Sequence, residues 1–168
     1  MKTKCNGCGV ELEYIEGETD PYQCSTSACW KIFNQLLAKE YSSPEYFVAH
    51  RFTADTYMVQ HPSNISRASI QSVWIHLVAL YLTLEREMPF PFIIRVMTAI
   101  TAPKQQYEWL TPPDPNRYKY RVNDLINEIT TENYSKIVKE WTMDVWLAWN
   151  EHHSKIIELA NKQISEMK

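Results

Sequence analysis

"CSTSACWKIFNQLLAKEY", residues 24–41, decides the fold. Cys24 and Cys29 are separated by four residues, and Ile32, Phe33, Leu36 and Leu37 then recur at helical spacing. The stretch reads as half of a metal site running into a first helix over Trp30–Tyr41. Upstream, "CNGCG" (5–9) supplies the other half, giving Cys5-x2-Cys8-x15-Cys24-x4-Cys29. A Cys-x2-Cys turn presents two thiolates to one ion, and its glycines let backbone N–H groups turn toward sulfur. A second pair some fifteen residues on completes a ribbon or treble-clef-like unit. Cys29 stands where the helix begins, and a helix N-terminus favours a thiolate. Cys5, Cys8, Cys24 and Cys29 are therefore read as a structural zinc site of four cysteines. A redox dithiol at Cys5/Cys8 is the lesser alternative, because no βαβ pattern surrounds it.

Composition agrees with a helical chain. All three glycines lie in the first 17 residues, so everything after Gly17 lacks the tight-turn residues that a sandwich or barrel wants. Residues 1–29 are expected to form a zinc-binding N-terminal unit and residues 30–168 a helical bundle domain. The net charge is −3 with lysines and arginines scattered, so no basic stripe follows a phosphate backbone and nucleic acid is not favoured. No apolar h-region follows the first lysines, and the most apolar run, "VWIHLVALYL" (73–82), is too short to span a bilayer. The expected location is the cytoplasm, where cysteines stay reduced unless they bind metal or do chemistry.

Downstream the helices are punctuated by proline and capping residues. "SSPE" (42–45) is a break and restart, with Ser43 as N-cap and Pro44 at the first helical position. A helix over Thr53–Gln60 ends at "HP" (61–62). Ser63 or Asn64 caps a helix running to about Glu87, with Ile70, Val73, Trp74, Leu77, Leu80, Tyr81 and Leu84 as its apolar stripe. A short helix follows around Ile93–Ala102, then a proline-rich loop over 111–121 and a short helix over 122–129 capped by Asn123. One long helix is predicted over Glu132–Glu166, with Ile137, Trp141, Val145, Ala148, His152, Ile156 and Leu159 on its inner face. The fold class is mainly α, a bundle of four or more helices with a small cysteine unit at its N-terminus.

The five histidines gather in three segments, 49–62, 71–77 and 145–153. Bundles build metal sites from inward side chains on facing helices. His61, His76 and His152 could hold a second divalent metal with an open water position, and His50, Asp55 and His153 could act as base or orienting groups. Tyr57, Gln60, Trp146 and Trp149 could line the pocket. No helix carries a His-x3-His or Glu-x2-His signature, so the same histidines also read as hydrogen-bonded core residues, and the tryptophans as core packing.

"CNGCG", "YQCSTSACWKIFNQLLAKEY", "HRFTADTYMVQHP", "QSVWIHL", "LTPPDP" and "EWTMDVWLAWNEHH", in that order, resemble the prokaryotic family numbered 5946 among the domains of unknown function. The resemblance runs from about Cys5 to His153 and implies a small bacterial protein without implying an activity. At the level of fold only, the chain is similar to the metal-binding bundles related to damage-inducible DinB. Those usually carry two histidines four apart on the last helix, whereas Ala148 precedes His152 here.

Two readings of function stay open. One is a metal-dependent hydrolase or transferase acting on a small molecule through a histidine-lined pocket. The other is a non-catalytic ligand-binding, sequestering or adaptor protein, stabilised by structural zinc, with a small molecule or another protein as its partner.

Overall fold

The computed structural model describes residues 1–102, 105–129 and 132–167. The chain opens with two short antiparallel strands, β1 (Lys2–Lys4) and β2 (Glu11–Glu13), in register Thr3↔Leu12. The turn between them carries Cys5 and Cys8. It is closed by Cys5 N–H on the Val10 carbonyl (2.8 Å) and by Gly9 N–H on the Cys5 carbonyl (2.9 Å). Gly9 has φ +76°, a conformation that side-chain-bearing residues rarely adopt.

Helix α1 (Ser27–Glu40) starts three residues earlier than its apolar run predicts. Thr26 accounts for this: its hydroxyl accepts the Cys29 N–H (3.4 Å) and caps the helix. The buried face of α1, Cys29, Phe33, Leu36 and Glu40, follows the 3.6-residue period. Pro44 opens α2 (Pro44–Phe47) after Ser43, as the sequence indicates. Helix α3 (His50–Gln60) stops at the residue before His61-Pro62. Helix α4 (Arg67–Leu84) is capped by Ser66, whose hydroxyl accepts the Ser69 N–H at 3.0 Å, rather than by Ser63 or Asn64. Helix α5 (Phe90–Ile100) follows, starting directly after Pro89 and carrying Pro91 in its first turn. The loop after it contains one 3-10 turn, Pro115–Arg117. In α6 (Val122–Asn127) it is Asp124, not Asn123, that satisfies the helix start, accepting the Arg121 N–H at 2.8 Å.

The long final helix is broken. Helix α7 (Tyr134–Ala148) and α8 (His153–Glu166) are joined through Trp149 and a 3-10 turn, Asn150–His152. In a continuous helix the Trp146 carbonyl would accept the N–H of residue 150. Here it accepts the N–H of Trp149 (3.1 Å) and the imidazole N–H of His153 (2.9 Å), whose ring stacks on Trp146 with centroids 3.7 Å apart. The Trp149 indole N–H is drawn to the Val59 carbonyl on α3 (3.2 Å). Periodicity alone runs through such a break.

Helix α3 packs against α4 and α7, α4 against α5 and α8, and α1 against α6. Trp141, Trp146, Trp149 and Tyr57 are fully buried, and Cys5, Cys8 and Val10 belong to the same buried cluster as Phe33 and Leu36. Polar ties cross this core: the Thr56 hydroxyl donates to Thr142 (2.9 Å) and the Trp141 indole to Gln60 Oε1 (3.2 Å). Among the described residues, no helix is long and apolar enough to cross a membrane.

Candidate metal centre

The hairpin turn, the first turn of α1 and the C-terminal end of α3 converge. They bring Cys5, Cys8, Cys29 and His61 together, all buried, with their donor atoms within 4.8 Å of one another. Cys8 Sγ lies 3.8 Å from Cys29 Sγ, and Cys29 Sγ lies 3.2 Å from His61 Nε2. A metal ion could be held here. Three soft sulfurs and one imidazole nitrogen form a donor set used by closed structural sites.

The surrounding groups orient each donor. His61 Nδ1 is 2.8 Å from the Tyr57 carbonyl. A carbonyl only accepts, so Nδ1 carries a proton, and in the neutral ring Nε2 then presents its lone pair toward the sulfurs, the tautomer a ligand needs. The Tyr57 ring stacks between Phe33 (centroids 3.8 Å) and His61 (3.9 Å), and its hydroxyl donates to Cys29 Sγ at 3.7 Å. Arg121 Nε donates to the Cys8 carbonyl (2.8 Å) and its Nη2 to the Pro115 carbonyl (3.0 Å), tying the cysteine turn to the later loop.

The three sulfurs impose opposing demands on one another. Bonds from Cys29 and Cys8 hold the Cys5 thiol far below its ordinary range, while bonds to Cys5 and Cys8, together with burial, push the Cys29 thiol far up. Burial opposes charge on His61, but the sulfurs of Cys5 and Cys8 outweigh it and raise the imidazole to about 9. The cluster gathers negative charge in a buried place, and a divalent cation is the partner that lets all three sulfurs ionise together.

Gly7 is required by the approach of His61. A Cβ at Gly7 would lie 2.6 Å from His61 Cδ2 and 2.7 Å from its Cα. Gly7→Ala should therefore displace the ligand turn, destabilise the protein by about 1–3 kcal/mol and speed metal transfer to a chelator. Unchanged denaturant unfolding and an unchanged transfer rate would show that the contact is not needed.

The structure corrects the four-cysteine reading at one position. Cys24 lies outside the convergent group, and His61 takes the fourth place. The reason is local: the Cys24 N–H donates to the His61 carbonyl (3.1 Å), so this segment runs alongside the end of α3 before Thr26 caps α1. The thiol sits partly exposed on a proline-lined cavity, and burial together with the charge of Cys5 pushes it up to about 12.

The second metal site expected from His61, His76 and His152 does not form, because the three rings are held at different places. His61 is with the sulfurs, His76 Nδ1 pairs with Asp55 Oδ1 (2.7 Å), and His152 Nε2 donates to the Thr111 carbonyl (2.8 Å). Among the described residues, the group of Cys5, Cys8, Cys29 and His61 is the one set of three or more such donors that converges. The candidate catalytic residues also part company. His50 and Asp55 leave α3 toward different helices, His50 Nδ1 meeting Glu40 Oε2 on α1 (2.9 Å) and Asp55 meeting His76 on α4. His153 is the ring that seals the α7–α8 break. Tyr57, Gln60, Trp146 and Trp149 are buried in the core, with Gln60 Nε2 donating to the Tyr120 carbonyl (2.8 Å) and the Trp146 indole to Glu85 (2.8 Å).

A mainly helical body whose N-terminal hairpin is joined to two helices by a buried cluster of three cysteines and one histidine defines the class of protein. Residues 3–150 match the family of unknown function DUF5946, and the chain belongs to that family. No curated protein matches the chain, and no solved structure does.

Proposed function

We propose that the chain is a zinc-stabilised, non-catalytic binding protein, in which Cys5, Cys8, Cys29 and His61 hold one structural zinc. The observation that carries this reading is the closure of the cluster: four buried donors on three separate segments, with their ligand atoms within 4.8 Å. Four protein donors fill a tetrahedral ion and leave no position for substrate or water. Thiolate-rich sets favour soft and borderline ions such as zinc over hard ones such as magnesium and calcium. The hydrolase or transferase reading needs a second, open site, and its histidines hold carboxylate and carbonyl partners instead. Four free cysteines also fit a reducing, cytoplasmic setting. The helical body would then present a ligand or partner surface, with the zinc joining the hairpin to α1 and α3.

Cobalt substitution tests the donor set. The Co2+ form should show the thiolate charge-transfer and ligand-field bands of a tetrahedral three-sulfur, one-nitrogen site. Cys24→Ser should leave that spectrum unchanged, whereas His61→Ala should alter or abolish it. A spectrum that changes with Cys24→Ser and not with His61→Ala would restore the four-cysteine site and overturn this assignment.

A further inference from the structure

We propose that the cleft between α4, α8 and residues 106–108 binds a free aromatic amino acid, a small zwitterion carrying a flat ring. This deepens the binding role proposed above and rests on it, but not on the metal.

The cleft measures about 660 Å³, within the range of small-molecule sites of roughly 300–1,000 Å³. Its aromatic walls are already fixed. The Trp74 indole N–H donates to the Glu108 carbonyl (2.8 Å), and the Tyr107 hydroxyl donates to the Ile100 carbonyl (3.0 Å). With their polar ends committed, the partly exposed Tyr107 ring is the face a ligand meets and the buried Trp74 ring backs it, the two centroids 5.6 Å apart and the planes tilted by 36°. Rings held in advance lose little freedom when a third ring packs on them. Leu159 adds an apolar side.

The charges select the rest of the ligand. Lys155 pairs with Glu108 at 2.6 Å, so these two neutralise each other. Glu158 and Lys162 line the same cleft, and their side chains make no hydrogen bond or ion pair among the described residues. They are four apart on α8 and so face the same way, with Cβ atoms about 5–6 Å apart. One carboxylate and one ammonium at that spacing can meet the ammonium and carboxylate that an α-amino acid carries on a single carbon. The pairs balance, so an aromatic anion or cation alone would leave one of the two charges unmatched.

Binding is tested on the full chain as purified, with zinc content measured on the same sample. L-phenylalanine is titrated by calorimetry and by amide and indole NMR shifts. The expected result is saturable, submillimolar binding with shifts at the Trp74 indole and along α8. N-acetyl-phenylalanine lacks the ammonium and phenylalanine amide lacks the carboxylate, as a residue at a peptide end would, and each should bind about tenfold more weakly. Glu158→Gln should weaken phenylalanine about tenfold and leave the N-acetyl compound's weak binding as it is, with Lys162→Gln doing the same for the amide. Both are surface substitutions that leave the core intact. No saturable binding, shifts confined to another face, equal binding of the three compounds, or indifference to both substitutions would each overturn the proposal. Zinc present without phenylalanine binding would fail the cleft and spare the metal centre; binding without zinc would do the reverse.

Discussion

Cys29→Ser should empty the metal centre and cost more than about 4 kcal/mol of stability, the scale at which loss of a structural metal is felt. Cys29 lies at the middle of the cluster, 3.8 Å from the Cys8 sulfur, 3.2 Å from His61 Nε2, and in reach of the Tyr57 hydroxyl. A serine hydroxyl does not ionise at neutral pH and is a poor zinc ligand, so the ion is left with two sulfurs and one nitrogen. The hairpin β1–β2 is only two three-residue strands, too little to stand alone. Its attachment to α1 and α3 then depends on the metal. Elemental analysis and urea unfolding read both effects, with Cys24→Ser as the control that should keep zinc and stay near wild-type stability. Retained zinc in Cys29→Ser would remove that residue from the site.

Glu40→Ala is the second large effect, expected to cost about 3–5 kcal/mol because it strands the partners of a buried charge. Glu40 is fully buried at the last position of α1. It accepts from His50 Nδ1 (2.9 Å), from the Tyr134 hydroxyl (2.6 Å) and from the Thr53 hydroxyl. One carboxylate thus ties α1 to α3 and α7. Burial, together with the adjacent Glu40, pushes the Tyr134 hydroxyl well up, so it remains a donor at any physiological pH. Removing Glu40 takes the shared acceptor from all three donors at once and leaves the buried Tyr134 hydroxyl without a partner. Tyr134→Phe removes a single bond and should cost only about 1 kcal/mol. A loss below about 1 kcal/mol in Glu40→Ala, read by urea unfolding, would mean that the network adds little.

Much of the fold can be read from local chemistry. Pro44, the His61-Pro62 pair and the period of Phe33 and Leu36 mark helix starts, stops and faces directly. What escapes is tertiary. The α7–α8 break arises because the Trp146 carbonyl is taken by the His153 ring and the Trp149 indole by Val59, and neither contact leaves a trace in periodicity. The strands β1 and β2 are three residues each, below the length at which alternation signals anything.

The metal centre divides in the same way. Cys5 and Cys8 are legible as a Cys-x2-Cys turn, and Cys29 as a thiol at a helix start. His61 is not, because a histidine 32 residues beyond Cys29 joins the group only through the packing of α3 on α1. Cys24 misleads for the converse reason: its spacing suits a ligand, but its backbone is engaged by the His61 carbonyl. Glu40 is equally hidden, since a glutamate at the end of "LLAKE" reads as solvent-facing until α3 and α7 close over it.

The proposed function requires one closed centre of three cysteines and one histidine holding one zinc, with no metal on the other histidines. Metal content per chain, by elemental analysis of protein purified without added metal or chelator, tests it most directly. Wild type is expected to carry one zinc, Cys24→Ser one and Cys29→Ser none. Two metals per chain in wild type would point instead to an open histidine site and an enzymatic role, and no metal at all would show that Cys5, Cys8, Cys29 and His61 do not form a metal centre.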